Sequence, residues 1–538
     1  MFGRKPRLAW LTGVLTTGVA AGLLTAAPAH AVVGPAVKDG DFTFTAQLDI
    51  GGQRSCTGAL VDPQWVITAT RCFADRPDQS TKVEPGAPKL KTVATIGRTD
   101  MSGDKGQTAD IVELVPHADR DVVMARLAKP VTGITPVTVA AGPAAQGETL
   151  RVTGYGRTED EWAPERLHSA EFTVKAADTT SLKIGGADPA NAAICAGDTG
   201  GPAFRTVSGR PQLVALNSTS WQAGCFGVDA AETRRDATST RVDNLNSWVQ
   251  NVRYRPAFAG APWAKATHIA TGYFTGGSAG GTRHMDMIVR WTDAEVTLYQ
   301  GSDERDGRGP FSTEYQLAAP PKPGKTSIWQ YAKQFTGASF GGGTDGLIVR
   351  WGDGELTQYT HVDKSGFHAE KQLAKPKNDK WPHARQIAMG RYTANAQRDD
   401  MIVTWDDGRV TLDTDLATNG LNAEKTLMKA NTAWKEADQI TAGEFTGKKT
   451  ADLLVRWSDG AASIYPGVDA DGFHGDISVR PRMSFWKNAT VVAAGAFAAN
   501  DRANDRANDI MVRWASGAVS LYPGVDAAGT HTEIQLVH

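Results

Sequence analysis

The chain has little net charge, few cysteines and, beyond its N-terminus, no long apolar run. Its 57 basic and 59 acidic residues give a formal net charge of -2, which offers no electrostatic case for binding nucleic acid or an anionic membrane. No Cys/His cluster suggests zinc, and we expect no metal and no cofactor. After residue 31 no segment is apolar enough to span a bilayer. These absences leave a peptide, protein or glycan as the expected ligand of a monomeric chain.

The N-terminus has the composition of a secretory signal peptide. Basic residues at positions 4, 5 and 7 precede an apolar stretch from Leu8 to about Ala26, and Ala29-His30-Ala31 is a small-x-small cleavage pattern. An uncleaved membrane anchor is the alternative, but Thr and Gly interrupt the stretch and the cleavage site is well formed. We therefore predict that residues 1–31 are removed and that the rest of the chain is secreted.

The chain's 538 residues exceed what one hydrophobic core usually holds, so we expect at least two domains. From Val32 to about Val252 short apolar runs alternate with Gly, Pro and Asp turns, a pattern typical of an antiparallel β-barrel or sandwich. Helical spacing over residues 242–252 predicts a terminal amphipathic helix. Pro256 and Pro262, with small residues between them, indicate a linker over residues 253–262.

Residues 263–538 repeat themselves five times. Each repeat opens with a tryptophan and reaches an apolar strand that ends in a second tryptophan, as in Leu347-Ile348-Val349-Arg350-Trp351. The first tryptophans are Trp263, Trp329, Trp381, Trp434 and Trp486, and the second are Trp291, Trp351, Trp405, Trp457 and Trp514. The second set recurs every 52 to 60 residues, enough for three or four short strands each. An all-β fold with a five-bladed propeller follows; a stacked linear array is the alternative, but it exposes more strand edges.

The repeats resemble FG-GAP or VCBS propeller repeats through turns such as residues 443–447 followed by Ala451-Asp452-Leu453-Leu454. Many such repeats hold calcium in a carboxylate-rich loop, but Lys448 and Lys449 stand where that ion would lie, so we expect none there. The last copy, residues 500–509, is rich in Asn and Asp, although a duplicated surface loop explains it more simply. The recurrent tryptophans are either packing residues or sugar platforms, and their strand positions favour packing.

The segment before the repeats carries ordered motifs. Trp65-Val66-Ile67-Thr68-Ala69-Thr70-Arg71-Cys72, then residues 121–127, then Cys195-Ala196-Gly197-Asp198-Thr199-Gly200-Gly201-Pro202 resemble the base, acid and nucleophile segments of trypsin-like serine proteases. The resemblance covers residues 32–252 and implies a two-barrel fold. Spacing alone allows three pairings of the four cysteines; the resemblance implies Cys56 with Cys72 and Cys195 with Cys225.

Two of the three catalytic positions implied by the resemblance are altered. Arg71 stands at the histidine position and Thr199 at the serine position, whereas Asp121 matches the aspartate. A guanidinium stays protonated and offers no acceptor, so Arg71 cannot take a proton from a hydroxyl. An internal threonine needs such a base. We therefore predict an inactive site in which Arg71 pairs with Asp121 and stabilises it.

Other parts of the site are retained. The resemblance places Gly197 and Thr199 at the backbone N–H groups of the oxyanion hole. It also pairs Asp198 with the amine of Val32, which cleavage after Ala31 would expose. Among the substrate-binding positions, the resemblance places Ala193 at the base of the specificity pocket and Ser220 and Trp221 on the strand beside it. Gln222 narrows the pocket, so we expect it to take a small or apolar side chain.

The sequence thus predicts a secreted trypsin-fold pseudoprotease joined to a propeller for protein or glycan recognition. A weakly active or unusual serine endopeptidase is one alternative. A secreted lectin or adhesin, with the N-terminal half as a scaffold, is the other.

Overall fold

A computed structural model describes residues 34–275, 285–302, 307–341, 343–393, 397–498 and 506–538. The predicted signal peptide, Val32 and residues 499–505 lie outside the described residues. Within these ranges the fold is all-β, with two six-stranded barrels followed by five four-stranded sheets, which confirms the predicted fold class. No helix in the described ranges is long and apolar enough to cross a membrane.

The first barrel is closed by six antiparallel strands in the order β1-β2-β3-β6-β5-β4. The strands are β1 (Thr45–Ile50), β2 (Arg54–Asp62), β3 (Trp65–Thr68), β4 (Thr92–Ile96), β5 (Gln107–Pro116) and β6 (Val123–Leu127). A short 3₁₀ helix, Thr70–Cys72, follows β3 and carries Arg71. Asp121 lies immediately before β6, which pairs with β3, so the base and acid positions meet at one end of this barrel.

The second barrel follows in sequence, with β7 as an added edge strand. Its strands are β7 (Thr138–Val139), β8 (Thr149–Gly154), β9 (His168–Ala177), β10 (Ser181–Asp188), β11 (Pro202–Val207), β12 (Arg210–Ser220) and β13 (Ala237–Arg241). Pairing of β11 with β12 closes the ring. The loop that carries Thr199 precedes β11, and the disulfides Cys56–Cys72 and Cys195–Cys225 tie the catalytic segments of the two barrels to their neighbours.

One helix, α1 (Asn246–Gly260), joins the barrels to the propeller. It begins at Asn246 rather than Val242 and continues through most of the segment that the sequence indicated as a linker. Trp248 packs in the core of the first barrel, whereas Phe258 packs with Trp263 in the core of the propeller. Gln250 also donates to the carbonyl of Ser312 at 2.7 Å. Because the one helix contributes to both cores, the two parts are packed against each other rather than loosely tethered.

The propeller consists of five blades, each a four-stranded antiparallel sheet. Blade 1 contains β14 (Ala266–Gly272), β15 (Asp286–Trp291), β16 (Val296–Gly301) and β17 (Phe311–Ala318); blade 2 contains β18 (Ala332–Ala338), β19 (Gly346–Trp351), β20 (Leu356–Asp363) and β21 (Gly366–Ala374). Blade 3 contains β22 (Ala384–Gly390), β23 (Asp400–Trp405), β24 (Val410–Asp413), the short helix α2 (Leu416–Asn419) and β25 (Glu424–Met428). Blade 4 contains β26 (Ala437–Gly443), β27 (Asp452–Trp457), β28 (Ala462–Tyr465) and β29 (Ile477–Arg480); blade 5 contains β30 (Ala489–Gly495), β31 (Asp509–Trp514), β32 (Val519–Tyr522) and β33 (Ile534–Val537).

The repeated tryptophans are packing residues. In every blade the first and second tryptophan rings lie 5.3 to 6.1 Å apart, and the first is at most 5% exposed. The arginine before the second tryptophan reaches the next blade in three cases: Arg290 donates to the carbonyl of Trp329 at 2.6 Å, Arg456 to Ala489 at 2.7 Å, and Arg513 to Trp263 at 3.0 Å. The last of these bonds joins blade 5 to blade 1 and closes the ring.

In four of the five blades, a buried aspartate at the start of the second strand binds backbone groups of its own blade. Its carboxylate accepts N–H groups from the turn before it and from the end of the third strand, at 2.5 to 2.9 Å, as seen for Asp286, Asp400, Asp452 and Asp509. Blade 2 has Gly346 at this position. We did not predict this role from the sequence, although an aspartate stands at the same place in four of the five repeats.

Candidate functional site

A cavity in the described structure lies between the two barrels. It has a volume of about 570 Å³ and is lined by Arg54, Arg71, Arg157, Gly197, Thr199 and Ser220, among others. This size is within the range of ordinary ligand pockets. We refer to this cavity as the cleft. Of the predicted catalytic positions, Arg71, Gly197 and Thr199 line it, and Asp121 is bonded to its lining residues.

Asp121 is the most fully bonded group at the cleft. One carboxylate oxygen accepts the hydroxyl of Thr70 at 2.6 Å and the backbone N–H of Arg71 at 3.0 Å. The other accepts Nε of Arg71 at 3.1 Å and the hydroxyl of Ser218 at 2.6 Å. Its side chain is only 8% exposed. With four donors on two oxygens, the carboxylate has no capacity left to orient a further group.

Arg71 fills the general-base position with a fixed cation. Its Nε binds Asp121, its Nη1 donates to the carbonyl of Pro77, and its Nη2 has no acceptor in the described ranges. The side chain is 26% exposed and lines the cleft. The predicted Arg71–Asp121 pair therefore exists, and it places donors where proton abstraction from Thr199 would require an acceptor.

The loop around Thr199 is held rigidly. The N–H of Asp198 donates to the carbonyl of Cys195 at 3.0 Å, and the N–H of Gly200 donates to Asn217 at 2.7 Å. Gly200 has φ +81°, and a Cβ there would lie 1.9 Å from the hydroxyl oxygen of Thr68, so no other residue fits. In the described part of the chain the N–H groups of Gly197 and Thr199, and the Thr199 hydroxyl, have no hydrogen-bond acceptor.

Asp198 is completely buried beneath this loop. Its carboxylate accepts the N–H of Cys195 at 2.9 Å and that of Gly156 at 2.8 Å. Burial raises the pKa of Asp198 to about 7 despite these two bonds. The predicted partner, the amine of Val32, lies outside the described residues.

The predicted specificity pocket is bridged from wall to wall. The hydroxyl of Ser220 donates to the carbonyl of Ile194 at 2.5 Å, and Oε1 of Gln222 accepts the N–H of Ala196 at 3.0 Å. Gln222 holds a left-handed backbone, φ +62°, that glycine adopts more readily. These bonds join the two segments between which a side chain would enter.

Two predicted substrate-binding residues do not line the cleft. Ala193 is fully buried behind Ile194, and Trp221 points outward, 52% exposed, beneath the guanidinium of Arg234. The same strand also carries Ser218, whose hydroxyl bonds Asp121 and which the sequence had not singled out. Ser218 lies at a register shift of this strand, between Asn217 and Thr219.

No histidine is among the residues lining the cleft in the described ranges. His117 packs edge-on against Trp248 with ring centres 5.1 Å apart, and burial lowers its pKa. His168 is buried beside Gly34, whose carbonyl lies 3.1 Å from its Nδ1. Asp78 is the one carboxylate that lines the cleft in those ranges, and it is exposed at the rim.

Among the described residues, one cluster of acidic side chains lies close enough together to hold a metal ion. Single carboxylate oxygens of Asp399, Asp400 and Asp415 lie within 4.8 Å of one another in blade 3. Asp400 already accepts three backbone N–H groups of its blade, from Tyr392, Thr393 and Asp415. Its carboxylate thus has a structural role like that of the equivalent aspartates in other blades.

Comparison with known proteins identifies relatives of the N-terminal part. Residues 31–249 match the trypsin family. The chain is 28% identical to serine protease 56 of Homo sapiens over 252 residues, which is 42% of this chain and 39% of that protein. It is 26% identical to ovochymase of Halocynthia roretzi over 41% of this chain and 15% of that protein. It is also 26% identical to the snake venom serine protease gussurobin of Gloydius ussuriensis, over 36% of this chain and 76% of that protein.

The chain thus spans well under half the length of serine protease 56 and of ovochymase. Together with the two barrels and the ordered catalytic positions, these similarities make the N-terminal part a trypsin-like serine protease homologue, and a five-bladed propeller follows it. The resemblance of the repeats to FG-GAP or VCBS sequences stays a prediction.

Proposed function

We propose that this protein is a secreted pseudoprotease, in which the trypsin-like domain binds a peptide or protein without cleaving it. The observation that carries the proposal is the ion pair between Arg71 and Asp121, which occupies the place of the general base with a group that has no lone pair to offer. No histidine lines the cleft in the described ranges, and the one carboxylate of its lining, Asp78, is exposed to solvent.

Loss of the base is severe because the triad works as a unit. Removing one of its essential members costs roughly 10⁶-fold in turnover, and the oxyanion hole and binding leave about 10³ to 10⁴ over the uncatalysed reaction. The bridged specificity pocket argues in the same direction, since the bonds of Ser220 and Gln222 across it leave less room to position a substrate side chain for attack.

The other parts of the proposal concern export and the second domain. Two disulfides suit an oxidising compartment, in keeping with the predicted cleavage after residue 31. The propeller supplies a second recognition surface, and its repeated tryptophans are used for packing, so any glycan contact would need other side chains.

The test is an assay with reversion variants of the full secreted chain. Peptide and ester substrates with small side chains are incubated with the wild type, Arg71→His, Thr199→Ser and the double variant. We expect turnover only in the double variant, since base and serine are each needed for the other to act. Hydrolysis by the wild type, or stoichiometric labelling of Thr199 by an active-site phosphonate, would contradict the proposal and favour the weak endopeptidase.

A further inference from the structure

We propose that the cleft is a receptor for a carboxylate, supplied by the C-terminus of a peptide or by a small organic acid. This inference rests on the proposed function, because it assumes that the cleft binds its ligand without hydrolysing it. It is drawn from the donors that the cleft leaves unused and from the charge of the groups around them.

Three neutral donors belong to residues that line the cleft and have no acceptor in the described ranges. They are the N–H groups of Gly197 and Thr199 and the Thr199 hydroxyl. The loop that carries them is held in place, because Asp198 accepts the N–H groups of Cys195 and Gly156 and the N–H of Gly200 donates to Asn217. Unpaired donors on a fixed loop favour an oxygen with full or partial negative charge.

Three guanidinium groups line the same cleft. Arg71 contributes its free Nη2, and Arg54 donates through Nη1 to the backbone carbonyl of Ala74 at 2.7 Å. Arg157 has no carboxylate partner in the described ranges, and its Cζ lies 3.4 Å from the ring centre of Trp162. Stacking on this ring, which is 60% exposed, holds the cation at the cleft and leaves the edge of its guanidinium fork available.

The balance of charge separates a carboxylate from the neutral carbonyl of a peptide bond. Against the three arginines, Asp121 offsets Arg71, and exposed Asp78 is the one carboxylate of the lining within the described ranges. A neutral carbonyl oxygen would use the two N–H groups and leave Arg157 unpaired. A carboxylate has a second oxygen and a full charge, and arginine binds both in its fork.

The bonds across the predicted specificity pocket favour recognition of a chain terminus over recognition of a buried side chain. Since Ser220 and Gln222 bridge its walls, little of the affinity can come from a side chain buried there. A terminal charge that meets the Thr199 loop and the arginines provides an alternative anchor, and Trp162 provides an apolar surface beside it.

The experiment measures equilibrium binding of short N-acetylated peptides of random sequence to the full secreted chain. Each peptide is used as the free carboxylate and as the carboxamide, and acetate, hippurate and inorganic phosphate are added as separate probes. Arg157→Gln tests the charge at the cleft. Arg234→Gln is the matched control, since Arg234 also stacks on an exposed tryptophan, Trp221 at 3.5 Å, but is paired with Glu232 and does not line the cleft.

We expect amidation to weaken binding roughly tenfold or more, the effect of losing a charge-assisted hydrogen bond. Arg157→Gln should weaken the carboxylate form roughly fivefold to tenfold and leave the carboxamide form unchanged, while Arg234→Gln changes neither. Binding of hippurate as tight as that of peptides assigns the site to small organic acids, and binding of peptides alone assigns it to C-termini.

The inference is overturned if both peptide forms bind equally, if the carboxylate form does not bind at millimolar concentration, or if phosphate binds more tightly than any carboxylate. Mass spectrometry of the recovered peptides separates these failures from that of the proposed function. Cleaved peptides would refute the pseudoprotease, whereas intact peptides bound equally in both forms would remove the carboxylate receptor alone.

Discussion

Replacing Arg71 by methionine tests whether the cation stabilises the altered site. The change keeps the side chain about as far as the position of Nε and removes the guanidinium, so Asp121 retains the Thr70 hydroxyl, the backbone N–H of residue 71 and the Ser218 hydroxyl. Breaking a buried ion pair costs about 3–5 kcal/mol, and breaking an exposed one costs about 0–1 kcal/mol. With Asp121 8% exposed and Arg71 26% exposed, the pair lies between these limits. We expect a loss of about 2 kcal/mol in stability.

The assay is amide hydrogen exchange in the full chain, followed for β3 and β6, whose paired residues flank the Arg71–Asp121 contact. A loss of about 2 kcal/mol corresponds to roughly thirtyfold faster exchange by opening of this region. Exchange in the propeller strands of the same sample gives an internal control.

The background Asp121→Asn makes the test specific. A carboxamide can direct its oxygen at the N–H of residue 71 and its NH₂ at the Ser218 hydroxyl, but its NH₂ then opposes Nε of Arg71. In that background Arg71→Met should therefore be neutral or stabilising, the reverse of its effect in the wild type. An equal cost in both backgrounds, or a wild-type cost below about 0.5 kcal/mol, would refute the ion-pair reasoning.

Three further changes follow from the structure. Burial raises the pKa of Asp198 to about 7, so the contribution of this carboxyl to stability is full below about pH 4 and is lost as pH rises through 7. In a chain that keeps residues before Val32 we expect stability, measured by denaturant unfolding, to fall by about 4 kcal/mol between pH 4 and pH 8, and Asp198→Asn should remove this pH dependence. In the chain cleaved after Ala31, where the amine of Val32 is the predicted partner of Asp198, Asp198→Asn should be destabilising. Burial and the nearby Glu424 likewise raise the pKa of Asp413 to about 6, and neither of its carboxylate oxygens has a hydrogen-bond partner. Asp413→Asn should therefore raise stability by about 3 kcal/mol at pH 8 and have little effect at pH 4. Equal effects of the substitution at both pH values would contradict this. Gly346→Asp, which restores the aspartate of the other blades, should destabilise the propeller by about 3 kcal/mol in thermal unfolding because a Cβ there would lie 2.1 Å from the carbonyl oxygen of Tyr359, and a stabilised variant would show the expectation to be wrong.

The repeats made the propeller predictable from sequence, whereas the hydrogen bonds within and between its blades are seen only in the tertiary structure. The tryptophan spacing gave five units because each unit repeats one local pattern of strands and turns. The helix α1 extends past its predicted end, and Phe258 in its last turns packs in the propeller core. The sequence around residue 258 does not indicate this contact, because it is made with strands that lie later in the chain.

At the site, the sequence alone determined which chemical groups are present. Arg71 and Thr199 exclude an ordinary triad because the protonation of a guanidinium and the need of a hydroxyl for a base are properties of the residues themselves. Tertiary structure decided what each group contacts. Ser218 meets Asp121, and the walls of the predicted pocket are joined by Ser220 and Gln222. These contacts join residues far apart in the chain, and only the packing of one barrel against the other sets their distances.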